Sequence, residues 1–330
     1  MYSPLQPMHI PDGFLSTLVS VVFWLISAIS VGYALRRVGR DLGERQVPLM
    51  GVLAAAIFAG QLLNFSVTGG TSGHLLGAAL ATILLGPWAA VIVLTSVVGI
   101  QALIFQDGGL LAMGANLFNM AIIGVTVSYF VYTSFQKLAR GKRWGIFVGG
   151  FLAAWLSIVV ASLSAALQLS LSGTSPANIS IPAMGGIHML IGIGEGLITV
   201  GALVFLHAAR RDLFRSGEAT PKGGRLVWVF GLCIAFALAV LSPLASTHPD
   251  GLIWVAGQQG FLNAARAPLY NIFPRYIFPG ISNKALATIV AGILGTLLVF
   301  GVALGVATLR RKKEIAERND ATSMNHPDGQ

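Results

Sequence analysis

Apolar runs of spanning length recur along the whole chain. Runs of about 17–25 residues, enough to cross roughly 30 Å of hydrocarbon as a helix, fall at about 14–35, 49–64, 111–134, 145–170, 184–208, 226–245 and 285–309. Residues 74–105 form a longer apolar stretch interrupted at Gly86-Pro87. It reads as one tilted helix or as two shorter helices with a turn at that break.

Charge separates the two readings. The basic residues cluster at Arg36/Arg37/Arg40, Lys137/Arg140/Lys142/Arg143, Arg210/Arg211/Arg215/Lys222/Arg225 and Arg310/Arg311/Lys312/Lys313. With the N-terminus outside and 74–105 folded as a hairpin, every cluster falls on the cytoplasmic side. With 74–105 as a single helix, the clusters from Lys137 onward move outside while Arg36 stays inside. The positive-inside rule favours the hairpin. The expected fold is an all-α integral membrane protein with nine membrane segments and a cytoplasmic C-terminus. The N-terminus and residues 65–73, 106–110, 171–183 and 246–284 lie outside. Segment 74–85 is too short to cross, so it is expected to be buried by neighbours or to line a polar cavity.

Composition agrees. Of 330 residues, 55% are hydrophobic and 10% charged, against about 25% charged in soluble domains; the mean hydropathy is +0.77. The net charge of +9 resides in the inter-span clusters, which argues against nucleic acid as a partner; the lipid bilayer is the partner it implies. Cys233, the one cysteine, rules out a disulfide within the chain and reads as a packing residue. The N-terminus lacks the basic region of a signal peptide.

The chain divides into residues 1–209 with seven segments, a charged linker at 210–225, a second region at 226–309 with two helices and an external loop at 246–284, and a polar tail at 310–330. Residues 314–330 lack an apolar pattern and read as disordered.

Six histidines stand in this hydrocarbon-rich chain. His9 precedes the first run, and His74 follows the glycine-rich stretch Gly69-Gly70-Thr71-Ser72-Gly73. The topology puts both at the outer rim. Two imidazoles there suit a borderline divalent metal such as Ni²⁺, Co²⁺, Cu²⁺ or Zn²⁺; alternatively each hydrogen-bonds a backbone carbonyl. His188 and Glu195, seven residues apart, share one helix face about 10 Å apart along the axis. They read as a proton or metal path or as a structural polar pair. His207 reads as interfacial, and Asn116 and Asn119 as interhelical hydrogen-bonding residues. Asp12, Asp107 and Asp250 all lie in external Asp-Gly turns. Pro-Asp-Gly occurs at 11–13, 249–251 and 327–329; the last copy is cytoplasmic in this topology and carries no expected role. No GxxxxGK[ST], HExxH or GxSxG motif is present. Hydrolysis of ATP by the chain itself is not expected, and Asp107, Glu195 and the histidines are too scattered for an intramembrane enzyme.

Several stretches together carry a resemblance: Met8-His9-Ile10-Pro11-Asp12-Gly13-Phe14-Leu15-Ser16, Val47-Pro48-Leu49-Met50-Gly51, Gly69–Gly77, Phe105-Gln106-Asp107-Gly108-Gly109 and Ile191-Gly192-Ile193-Gly194-Glu195. They resemble the membrane substrate-binding component of nickel/cobalt energy-coupling-factor (ECF) transporters, the CbiM/NikM family, over about residues 8–209. Ser246-Thr247-His248-Pro249-Asp250-Gly251-Leu252 resembles the Pro-Asp-Gly-Leu loop of that system's small partner, so the chain looks like a fusion of the two. The resemblance implies cell-membrane uptake of Ni²⁺ or Co²⁺, driven by separate cytoplasmic ATPase subunits through a transmembrane coupling subunit. It implies a small C-terminal pair of helices that assists metal loading, by holding the N-terminal loop open. It also implies a metal held by nitrogen alone, from an N-terminal amine, the next histidine's amide and ring, and a second histidine. The matching positions are Met8, His9 and His74. Such a square-planar set suits Ni²⁺. The rivals are cobalt uptake feeding cobalamin synthesis, an ATP-independent carrier using His188 and Glu195, and a structural or sensory subunit. Residues 1–7 stand before Met8, and a mature chain beginning at Met8 is the expectation, since only then does Met8 carry a free amine.

Overall fold

The computed structural model describes residues 8–41, 43, 46–209 and 224–325. It is a helix bundle with helices in each expected apolar segment: α1 (Thr17–Asp41), α2 (Gln46–Gln61), α3 (Ala78–Leu85), α4 (Pro87–Ile104), α5 (Met113–Leu117), α6 (Gly124–Ala139), α7 (Arg143–Leu171), α8 (Ala177–Ala209), α9 (Gly224–Leu241), α10 (Gly251–Gln258) and α11 (Lys284–Asn325). Among the described residues, six helical stretches are long and apolar enough to cross a membrane: Thr17–Gly39, Pro87–Ile104, Met113–Ala139, Arg143–Leu171, Ala177–Ala209 and Lys284–Glu317. Gln46–Gln61 and Trp228–Leu244 are shorter apolar helices, and α3 has eight residues.

The 74–105 stretch divides at Gly86. Its backbone, at φ 79° and ψ 169°, suits only glycine, and Pro87 opens α4, where its missing N–H is no loss. Seven of the eight α3 residues are buried, so this short helix is covered by neighbours. Between α5 and α6, residues Phe118–Ile123 widen into a π-turn. There Asn119 exchanges hydrogen bonds with Gln168 of α7 at 2.9 and 2.8 Å, the interhelical link expected of it.

The second region is packed onto the first. Helices α9 and α11 flank α2, with Gly51 facing Phe300 and Leu304; small residues let such helices approach closely. The segments expected outside gather at one end of the bundle. Ser246 donates its N–H to Asn64 O at 2.8 Å, Phe273 to Ile104 O and Arg266 to Asp12 O, while Ser175 bonds Gln259. At the other end Gly39 of α1 lies beside Arg310 of α11.

Four expectations are corrected. The bundle is not wholly α: β1 (Phe65–Val67) and β2 (Thr71–Gly73) form an antiparallel hairpin, with Ser66 opposite Ser72. Cys233 is exposed on α9 rather than packed, because the outer face of a membrane helix is as apolar as its inner one. Helix α11 continues through the tail to Asn325, where a run rich in Lys, Arg, Glu and Ala has high helix propensity. Asn116 does not join helices, as described below. Residues 210–223 of the linker, the preceding segment 1–7 and the copy of Pro-Asp-Gly at 327–329 lie outside the described residues.

Candidate metal centre

The N-terminal segment is buried beside the loop that follows α4. Met8 and His9 are each 3% exposed. The Asn116 amide brackets Ile10, accepting its N–H at 3.0 Å and donating to its carbonyl at 3.1 Å. Gly109 adds a third bond to Ile10 O at 2.9 Å. The Asp12 carboxylate accepts the N–H groups of Leu110 and Ala112 at 3.1 and 3.0 Å. These bonds are what fix His9, and they explain why Asn116 serves the segment and not a helix pair.

Asp107 sits at the focus of this segment. Its Oδ1 accepts Met8 N–H at 2.8 Å and His9 N–H at 3.3 Å, and His9 Nδ1 lies 3.4 Å away. His9 Nδ1 also faces Asp107 O at 3.3 Å; both oxygens only accept, so Nδ1 carries the proton. His9 Nε2 is buried without a hydrogen-bond partner. Tyr276, from the second region's loop, donates to Asp107 Oδ2 at 2.7 Å. Burial disfavours the Asp107 anion, but His9 and the donated hydrogen bonds prevail and its pKa is lowered. Burial and the Asp107 charge push the Tyr276 hydroxyl well above the ordinary phenol value.

His74 follows β2 and stands edge-on to His9, with ring centroids 5.6 Å apart. Its Nδ1–H donates to Asp250 Oδ1 at 2.8 Å. Burial disfavours the charged ring, but the Asp250 charge and hydrogen bond outweigh it and raise the His74 pKa. Both rings line a cavity of about 80 Å³, together with Met8, His188 and Asp250.

His188 and Glu195 each bond a different part of the bundle. His188 Nδ1–H donates to Met184 O at 2.7 Å, and the ring borders the cavity. The buried Glu195 carboxylate accepts the N–H groups of Leu76 and Gly77 at 2.8 and 3.0 Å, so it anchors the turn after His74. His207 lies at the end of α8 against Phe147. Sequence reasoning missed Asp107, Asn116, Asp250 and Tyr276 as partners of the site. The three Asp-Gly turns were a usable signal, since each places an acid at the end of the bundle that holds His9 and His74.

The fold is thus a multi-pass helix bundle with a small pocket at one end, bordered by His9, His74 and His188. Residues 9–213 match the CbiM family model, described as the cobalt uptake substrate-specific transmembrane region, and 225–312 match the PDGLE domain. The chain belongs to the CbiM family and carries a PDGLE domain fused behind it, a metal transport component of the nickel/cobalt type. It is 36% identical over 309 residues to a provisionally named fused nickel transport protein NikMN of Archaeoglobus fulgidus, covering 92% of this chain and 98% of that one. It is 29% identical to the fused nickel transport protein NikMN of Rhodobacter capsulatus, covering 92% and 99%. A crystal structure of a truncated transition metal transporter, 34% identical, superposes with a TM-score of 0.55 over 61% of this chain and 99% of that one.

Proposed function

We propose that the chain captures Ni²⁺, with Co²⁺ as the alternative cargo, on the extracytoplasmic side as the substrate-binding part of an ATP-driven ECF-type transporter. The donors are Met8 N, His9 N, His9 Nδ1 and His74 Nε2. One observation carries this: the first three nitrogens all lie within 3.4 Å of a single oxygen, Asp107 Oδ1, so they already converge on one point. Among the described residues no three His, Cys, Asp or Glu side chains converge as a metal site, which favours a set that uses main-chain nitrogen. Amine, amide and Nδ1 of a Met-His start close fused chelate rings, and His74 completes a square plane suited to Ni²⁺. Binding would ionise the His9 amide and take up the amine in its unprotonated form, while the imidazole proton moves from Nδ1 to Nε2, so binding releases protons.

The seven segments of residues 1–209 form the metal-binding part. The two-helix part at 226–309 covers it from outside with loop 246–284, and linker 210–225 and tail 310–330 are cytoplasmic. In this arrangement the chain makes nine membrane segments with its basic clusters inside. Loop 246–284 lies over the N-terminal segment in its buried position, through Arg266 and Tyr276, where it can act on metal loading. Energy comes from separate ATPase subunits acting through a transmembrane coupling subunit, since the chain has no phosphate-binding loop. Glu195 is structural in this reading and His188 lines the path from the pocket.

Metal analysis of the purified chain beside His9→Ala and His74→Ala tests the site: both variants lose stoichiometric nickel. Retention in both removes the site. Intact mass of the mature protein tests the free amine at Met8, and uptake in liposomes without the ATPase subunits would exclude ATP coupling.

A further inference from the structure

The Pro-Asp-Gly-Leu segment of the second region is built against the loop that carries His74. Pro249 O accepts Ser72 N–H at 2.9 Å and the Thr71 hydroxyl at 3.1 Å, and His248 O accepts the Ser72 hydroxyl at 2.9 Å. Main-chain bonding thus docks residues 248–250 along β2, two residues before His74. Gly251 sits where a Cβ would come 2.8 Å from Ile191 Cδ1 and 3.1 Å from His188 Cε1, so the segment passes close against α8 and a larger residue would have to push these side chains aside. Leu252 is buried in the same apolar cluster as Ile191.

Asp250 is the member of this segment that meets the site. It occupies the N-cap of α10, where an aspartate ordinarily accepts an N–H of the first helical turn. Its backbone has the extended conformation of such a cap, but its side chain makes no capping bond. The carboxylate, 3% exposed, turns instead to His74 Nδ1, 176 residues away in sequence. An ionised carboxylate only accepts, so it fixes the proton on Nδ1 and leaves the lone pair on Nε2. Carboxylates bonded in this way to the outer nitrogen of a metal-binding imidazole hold the tautomer and ring orientation and raise its basicity.

We propose that Asp250 is a positioning residue for metal binding: the second region supplies the carboxylate that sets the tautomer and aim of His74. The Pro-Asp-Gly-Leu segment is then one device. Its proline carbonyl docks on β2, its aspartate holds the histidine, its glycine admits α8, and its leucine seals the underside. The inference rests on His74 being a metal donor, as proposed above.

The experiment is Ni²⁺ titration of the full-length purified chain against a chromophoric competitor, with Asp250→Asn, His74→Ala and the double variant. Asp250→Asn is expected to weaken Ni²⁺ binding about 10–100-fold. In the His74→Ala background the same change has no further effect on the residual binding, because its target is gone. Asp250→Ser, which keeps a capping residue for α10 and removes the carboxylate, is expected to repeat the loss and guards against misfolding of the first variant. Wild-type affinity in Asp250→Asn and Asp250→Ser, with binding lost in His74→Ala, overturns this inference alone. Equal weakening with and without His74 overturns it as well, since it marks a general structural effect. Undiminished binding in His74→Ala overturns both this inference and the donor set beneath it.

Discussion

Gly77 donates its backbone N–H to Glu195 Oε1 at 3.0 Å, and Leu76 next to it donates to Oε2 at 2.8 Å. A helix in the bundle thereby holds the turn that follows His74, and both oxygens of the carboxylate are occupied. A glutamine offers one acceptor and sets its NH₂ against the other N–H. Glu195→Gln is therefore expected to destabilise the protein by about 1–3 kcal/mol, the penalty for an unsatisfied buried donor, and to weaken nickel binding with it. Thermal unfolding in detergent and nickel titration measure the two. Wild-type stability and nickel binding together with abolished transport would instead put Glu195 on the transport path.

The bracketing of Ile10 by Asn116 gives a second prediction. Asn116→Leu leaves the Ile10 N–H without its amide acceptor in a buried place, at about 1–3 kcal/mol. The residues released first are those next to His9. Hydrogen exchange of residues 8–13 is expected to accelerate and nickel affinity to fall. Gln168→Leu is the contrast: it breaks the Asn119 pair between helices from a residue that does not border the cavity, lowers the thermal midpoint and leaves nickel affinity near the wild-type value.

How much of this was legible follows from the range of the interactions. Apolar runs and the Gly86-Pro87 break are local signals, and they located the helices. His9 and His74 came together from topology alone, because alternating spans put both at one rim. The side chains that hold them were not legible. Asp107 is 98 residues from His9, Asp250 is 176 from His74, and Tyr276 is 169 from Asp107. Each Asp-Gly explains itself as a turn, so nothing local asks for a distant partner. The β1–β2 hairpin was hidden in the same way, as Gly69-Gly70 reads simply as loop. Cys233 misled because an apolar span does not say which face meets lipid. The helical tail was missed because charged residues with good helix propensity extend a helix without any apolar pattern.

Gly13 supplies a backbone prediction. Its φ is +95°, and a Cβ there would collide with the Ala264 carbonyl oxygen of the second region. The colliding atom belongs to the main chain, which cannot swing aside as a side-chain tip would. Gly13→Ala is expected to lower stability by about 1–3 kcal/mol for the strained conformation and to disturb the Arg266–Asp12 main-chain bond beside it. The readouts are the thermal midpoint and nickel affinity; an unchanged pair of values would mean that loop 262–266 does not rest on the N-terminal segment.

Tyr276→Phe isolates one hydroxyl. The ring stacks on Phe105 at 4.7 Å between centroids, a contact phenylalanine keeps, so the change removes the hydroxyl's bond to Asp107 Oδ2 and its weaker one from the Gln101 side chain. A hydrogen bond to a charged group contributes about 1.5–3 kcal/mol, and the metal-free variant should lose that much near neutral pH. The pH dependence has a definite sign. The folded-state pKa of Asp107 lies below its ordinary value, against the effect of burial, because His9, Tyr276 and Met8 favour the anion. Its contribution to stability is thus fully present above the ordinary carboxylate range and is lost as pH falls through the depressed value. Without the Tyr276 hydroxyl the depression is smaller. The acid loss of stability in metal-free Tyr276→Phe should therefore begin from a lower plateau, and the gap to wild type should close as Asp107 protonates in both. Thermal midpoints across the acid range check this; a gap that stays constant down to the lowest pH would show that Tyr276 acts through packing and not through the Asp107 charge.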